Sequence, residues 1–203
     1  MSDPGSLRRY LISALDVEED ERDRSYALSR ELVKRCRGLI SDLVHGNRIN
    51  EKELLDKVSE LISIPPGSRS ASYGFRDDAL TEAAEALVLG RVLEGSDLPL
   101  PDETGIPPGA FAMGICDAIG ELRRVCLNSL LEGDEPRALE IYRRMEELFS
   151  IIDGLTYPSG MVPLKRKQDA ARAAIDRTQG DIISVLGSSL RKNDGGISDE
   201  GKA

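Results

Sequence analysis

Along most of this chain apolar residues recur every three or four positions, the period of a helix face. Leu7, Leu11, Ala14 and Leu15 set the pattern over Leu7–Asp16. A charged run, VEEDERDRS, follows and reads as solvated helix. From Tyr26 to Val44 the stripe strengthens: Leu28, Leu32, Cys36, Leu39 and Leu43, with Val33, Ile40 and Val44 beside it. These segments can join into one very long helix, which His45-Gly46-Asn47 stops. Asn50, with Glu53 three residues on, has the capping-box spacing that opens a second helix. Leu54, Leu55, Val58, Leu61 and Ile62 form its apolar face, and Ile64-Pro65-Pro66-Gly67 ends it. No segment alternates as a half-buried strand does, and no repeat has a solenoid period.

Ser68–Gly74 reads as a polar loop, and Asp77 or Asp78 as the start of a helix running to Glu94-Gly95. Ser96–Gly109 is rich in Pro and Gly and reads as a connector. A helix from about Pro108 to Glu132 follows, with proline tolerated at its start. Gly133 ends it, and Asp134 caps the next helix, Glu135–Ile152. TYPSGMV (Thr156–Val162) is a turn, and a last helix spans roughly Pro163–Leu190. The expectation is an all-α bundle of about six or seven helices, with one domain over residues 1–190 and a polar, disordered tail over 191–203.

Two helices carry acids among apolar residues: Glu82 and Glu85 in the first, Asp117 and Glu121 in the second. Residues three or four apart share a helix face, so each helix offers two carboxylates to one side. Those faces continue through Ala86, Leu89, Val92 and Leu93, and through Met113, Gly114, Gly120 and Arg124. A helical E-x-x-E is commonly a solvated edge. If both pairs meet in one site, however, four like charges need a compensating cation. Mg²⁺ or Mn²⁺, hard ions that take oxygen ligands and substrate phosphates, match that need. The expected chemistry is attack on a phosphodiester.

Composition narrows the alternatives. The 203 residues include 36 acidic and 27 basic side chains, a net charge of −9, which disfavours indiscriminate nucleic-acid binding but allows a local basic channel. His45 is the single histidine; it lies at a helix end as a carbonyl cap, so histidine-based zinc or acid–base chemistry is excluded. Cys36, Cys116 and Cys126 lack framework or ligand spacing and read as reduced, buried thiols. No apolar run spans a bilayer, and the N-terminus is charged too early for a secretory signal, so a cytoplasmic protein is expected.

The order of motifs resembles the translin/Trax family. The resemblance is carried by LSRELVKRCRGLISDLVH (Leu28–His45), Glu82-Ala83-Ala84-Glu85-Ala86, GICDAIGELRRVCLNSLLEGD (Gly114–Asp134) and LKRKQDAARAAIDRTQGDI. It covers nearly all the chain except the two ends. Glu82, Glu85, Asp117 and Glu121 match the acidic motifs of Trax-like members residue by residue. The resemblance therefore implies a metal-dependent endoribonuclease of single-stranded RNA, in a homo-oligomeric, archaeal-type version. It also implies a hollow, usually octameric shell with inward-facing sites. Translin-like members bind single-stranded RNA or DNA without the acidic site, and a non-catalytic binder is the alternative. A third reading makes the acids structural partners of arginines across subunits. The chain departs from Trax proteins at Leu87-Val88-Leu89, where they tend to have an aromatic; this bears on the substrate-side wall.

Candidate phosphate contacts are Arg124, the run Lys165, Arg166 and Lys167, and a band on the first helix, Arg30, Lys34 and Arg37. Each can equally be a solvated charge or a salt bridge. Arg123 reads as a surface or subunit-contact residue. Tyr73 and Phe75 could stack a base or pack in the core.

Overall fold

The computed structural model describes residues 3–65 and 74–194. Within them the chain forms seven helices and no strand: α1 Pro4–Val44, α2 Glu51–Ile62, α3 Gly74–Glu94, α4 Pro101–Thr104, α5 Pro108–Glu132, α6 Glu135–Ile152 and α7 Leu164–Asp194. The three N-terminal segments do join into one 41-residue helix. Asp3 caps it, accepting from Ser6 N–H at 3.1 Å. It stops where His45 Nδ1 meets Ser41 O at 2.6 Å and Gly46 adopts φ 84°, a conformation that favours glycine.

Asn50 caps α2 through Glu53 N–H, at 3.3 Å. The reciprocal half of a capping box is not made, because the Glu53 carboxylate turns to Arg35 of α1 at 2.7 Å. α3 begins at Gly74, a few residues before the expected aspartates. The Ser96–Gly109 connector holds the short α4, where Glu103 Oε2 accepts from Leu100 N–H at 2.7 Å. α7 runs through Asp194, four residues into the stretch expected as a tail; residues 195–203, with Tyr73 and most of the 68–74 loop, lie outside the described residues.

α3 and α5 form the centre. From Ala79 to Gly90 α3 is buried everywhere except Glu82, and four alanines let its neighbours approach closely. α1 and α2 pack on one side of α3; α6 and α7 pack on α5. Leu87, Val88 and Leu89 are fully buried. The departure from the Trax pattern thus lies in the core and not in a substrate wall. All three thiols are free and buried. Burial pushes those of Cys36 and Cys116 up to about 12, so neither is a nucleophile at neutral pH. Among the described residues no helix is long and apolar enough to cross a membrane.

Candidate carboxylate site and flanking groove

The four acids meet because one glycine lets α5 touch α3. A Cβ built on Gly114 would lie 2.5 Å from Ala84 Cβ, 2.8 Å from Glu85 N and 2.9 Å from Thr81 O. Two of those atoms are backbone and cannot yield. Asp117 follows one turn later on the same face, directly beside the α3 acids. Gly114→Ala should therefore cost roughly 1–3 kcal/mol in urea unfolding. Gly120→Ala, whose Cβ would meet nothing within 4 Å, should instead raise stability by up to about 1 kcal/mol.

Glu85 is the innermost acid, 9% exposed. Among the described residues no hydrogen bond or ion pair holds it. Burial pushes its carboxyl up to about 8, and the charges of Asp117, Glu82 and Glu121 push the same way, against Lys167. Asp117, Glu82 and Glu121 thus all lie within electrostatic reach of Glu85. Glu82, Asp117 and Glu121 are more open, with side chains 27%, 32% and 24% exposed. Beyond Glu121 the α5 face turns to solvent, since Gly120 and Arg124 are exposed.

Basic side chains face the three outer acids. Lys167 of α7 pairs with Asp117. Arg37 of α1 lies 3.5 Å from Glu82, and Arg124 lies 3.1 Å from Glu121. Like-charge crowding is thus relieved here by three cations and by the raised pKa of Glu85. Among the described residues no three His, Cys, Asp or Glu side chains are placed to hold one ion together. The donor set nevertheless suits a hard divalent cation: four carboxylates, one of them in an environment that only a positive charge would keep ionised. Seating it requires the outer carboxylates to leave Lys167 and Arg37.

Lys167 is positioned by its neighbour. Gln168 is buried, and its Nε2 donates to Ile152 O at 2.7 Å and Leu155 O at 3.0 Å, tying the first turn of α7 to the end of α6. The basic run consequently splits: Lys167 reaches the acids, Lys165 pairs with Asp169 at 2.5 Å on the outside, and Arg166 is exposed. Arg123 is partly buried, its side chain 22% exposed. Its guanidinium clasps α7 through Thr178 at 2.9 Å and Asp181 at 2.8 Å.

Two hollows open beside the acids. A small one of about 300 Å³ is lined by Glu82, Glu85, Glu121, Arg37 and Arg124. A groove of about 1570 Å³ is bounded on α1 by Tyr26, Arg30, Glu31, Lys34 and Arg37, on α3 by Phe75, Asp77, Asp78 and Glu82, on α5 by Met113 and Asp117, and on α7 by Lys167, so its wall is mixed in charge. The band Arg30, Lys34 and Arg37 thus walls the groove that ends on the acids. Sequence reasoning placed Met113 on the acid-bearing face but gave no role in the site to Tyr26 or the Met161–Pro163 edge. Their signal was available only in part: Tyr26, Arg30, Lys34 and Arg37 follow helical spacing along one face.

The comparisons with known proteins agree with this architecture. The Translin family model matches residues 55–180. An uncharacterized protein of Methanocaldococcus jannaschii is 28% identical over 183 residues, 87% of this chain and 82% of its own. AfC3PO in complex with duplex RNA superposes with a TM-score of 0.72 at 25% identity, covering 90% of this chain and 97% of the other. AfC3PO alone gives 0.68 at 27%, covering 92% and 98%. Apo-NeC3PO, at 20% identity and a TM-score of 0.77 over 91% and 99%, shares the fold. With its family model spanning the acid-bearing helices, the chain belongs to the Translin family.

Proposed function

We propose that this protein is a divalent-metal-dependent endoribonuclease acting on single-stranded RNA. The observation that carries the reading is the convergence of Glu82, Asp117 and Glu121 on the buried Glu85, beside a groove of mixed charge whose α1 wall carries Arg30, Lys34 and Arg37. That AfC3PO was solved with duplex RNA supports an RNA ligand. Glu82, Glu85, Asp117 and Glu121 would hold Mg²⁺ or Mn²⁺, which supplies a water of lowered pKa and charge for the leaving oxygen.

The chain's own side chains supply the rest. Arg30 and Lys34 bind the phosphate backbone without reading sequence. Arg37 and Lys167 sit where an incoming phosphate offers an alternative partner to Glu82 and Asp117, so substrate entry and release of the acids are coupled. The buried floor around Glu85 limits bulk water. The chain's single histidine, His45, caps α1 and is not among the residues lining the site, so the proposed nucleophile is water, leaving a 5′-phosphate and a 3′-OH.

The test is cleavage of labelled single-stranded RNA in Mg²⁺, Mn²⁺ or EDTA, with mapped product ends. Cyclic-phosphate ends, or full activity in EDTA, would refute the mechanism. The ion pairs on three of the four acids favour a second reading, a non-catalytic translin-type binder of single-stranded RNA or DNA, in which the acids serve structure. Tight binding without cleavage in any metal would establish it.

The reading includes a homo-oligomer, with a closed octamer as its specific form. The first half of α1 projects from the bundle with Leu7, Tyr10, Leu11 and Leu15 on one stripe, 52%, 70%, 49% and 61% exposed. Such a stripe calls for a partner. Light scattering should give a species larger than a dimer, and Leu11→Glu with Leu15→Glu should reduce its size. A stable wild-type monomer at micromolar concentration would contradict this.

A further inference from the structure

The far end of the groove has no part in the reading so far, yet it is built for a flat ligand. Tyr26 and Phe75 pack edge to face there, with centroids 5.1 Å apart and planes at 85°. The Arg30 guanidinium overhangs the Tyr26 ring at 5.8 Å. Tyr26 still keeps 45% of its surface exposed, in a chain with no tryptophan and only 4% aromatic residues. One turn along α1, Ser29 is 1% exposed and lines the same groove. The Oγ atoms of Ser29 and of Ser25, one turn earlier, are out of reach of solvent and have no hydrogen-bond partner among the described residues.

We propose that this corner is a nucleobase subsite: an unpaired base of the bound strand stacks on Tyr26 beneath Arg30. The proposal rests on the RNA reading above. An aromatic ring held rigid by a perpendicular neighbour is a stacking platform that tolerates any base, worth about 1–3 kcal/mol per base. Arg30 adds a cation over the stack, and Lys34, one turn further on, faces the adjoining phosphate. Phe75 and Glu82 are seven residues apart on α3, so the platform lies about 10 Å from the acids. A base held there fixes the register of a neighbouring phosphodiester on the carboxylates. It also selects against duplex, whose bases already stack on one another and present only edges.

The test uses a short single-stranded RNA carrying 2-aminopurine, whose fluorescence is quenched by stacking, in EDTA so that nothing is cut. Wild type and Tyr26→Phe should both bind and quench. Tyr26→Leu, at a half-exposed position that leaves the core intact, should bind about tenfold more weakly and lose most of the quenching. A blunt duplex of the same sequence should bind more weakly than the single strand. The subsite is overturned if Tyr26→Leu binds and quenches like wild type, or if duplex binds as tightly to wild type and loses as much affinity in Tyr26→Leu. Failure of the wild-type protein to bind RNA at all is a separate outcome, and it overturns the RNA reading together with the subsite.

Discussion

Glu85→Gln should slow metal-dependent RNA cleavage by at least about 10²-fold while making the metal-free protein more stable at alkaline pH. The two effects have one origin. Glu85 is nearly buried among three other acids and has no hydrogen-bonded partner among the described residues, so its ionised form is poorly solvated. Its folded-state pKa of about 8 lies above the ordinary carboxylate value of 4.5. The stability contributed by the protonated form is therefore fully present below pH 4.5 and is lost as pH rises through 8. Glutamine keeps the shape without the charge and removes that slope. In EDTA the variant should match wild type near pH 4 and exceed it by roughly 1–3 kcal/mol at pH 9, measured by urea unfolding. Catalysis moves the other way, because a carboxamide is a poor ligand for a hard cation. RNA binding should survive, since the groove's phosphate contacts come from Arg30 and Lys34. Loss of activity accompanied by loss of alkaline stability would mean that Glu85 is a structural residue, and the catalytic reading would fall. Glu82→Gln should share the catalytic loss without the stability gain, because Glu82 is more open and already paired with Arg37.

The fold was legible because helical patterning and capping chemistry agreed along the chain. Asn50, Gly133 and Asp134 each mark an observed helix boundary. α4 was not legible: four residues cannot show a period, and Pro101 reads equally as loop. The acids could be paired within each helix by spacing alone, but their meeting depends on a close approach of α3 and α5. Gly114 permits that approach, and in sequence it looks like any glycine near a helix start. The basic residues were least legible. Lys165, Arg166 and Lys167 are indistinguishable by composition, and Lys167 is singled out only by the way Gln168 docks α7 onto the end of α6. Arg123 likewise sits beside Arg124 in sequence, yet one clasps α7 and the other flanks Glu121.

Mg²⁺ or Mn²⁺ should raise the melting temperature of the wild-type protein, because an ion that binds only the folded state stabilises it by mass action. Two substitutions should shift that response in opposite directions. Asp117→Asn with Glu121→Gln removes two of the four donors and should abolish it. Lys167→Met removes the cation that now occupies Asp117. Without Lys167 the acid cluster gains one uncompensated negative charge in a half-buried setting, which lowers metal-free stability by roughly 1–2 kcal/mol. The same charge attracts a divalent ion more strongly, and no ion pair has to be broken to admit it. The apparent metal affinity should rise about tenfold, equivalent to about 1.4 kcal/mol, and the thermal shift should grow accordingly. RNA affinity should fall in Lys167→Met, since a cation on the groove wall is lost. A thermal shift that persists unchanged in the Asp117→Asn, Glu121→Gln variant would place the metal elsewhere. A shift that shrinks in Lys167→Met would show that the lysine organises the carboxylates for the ion and does not compete with it.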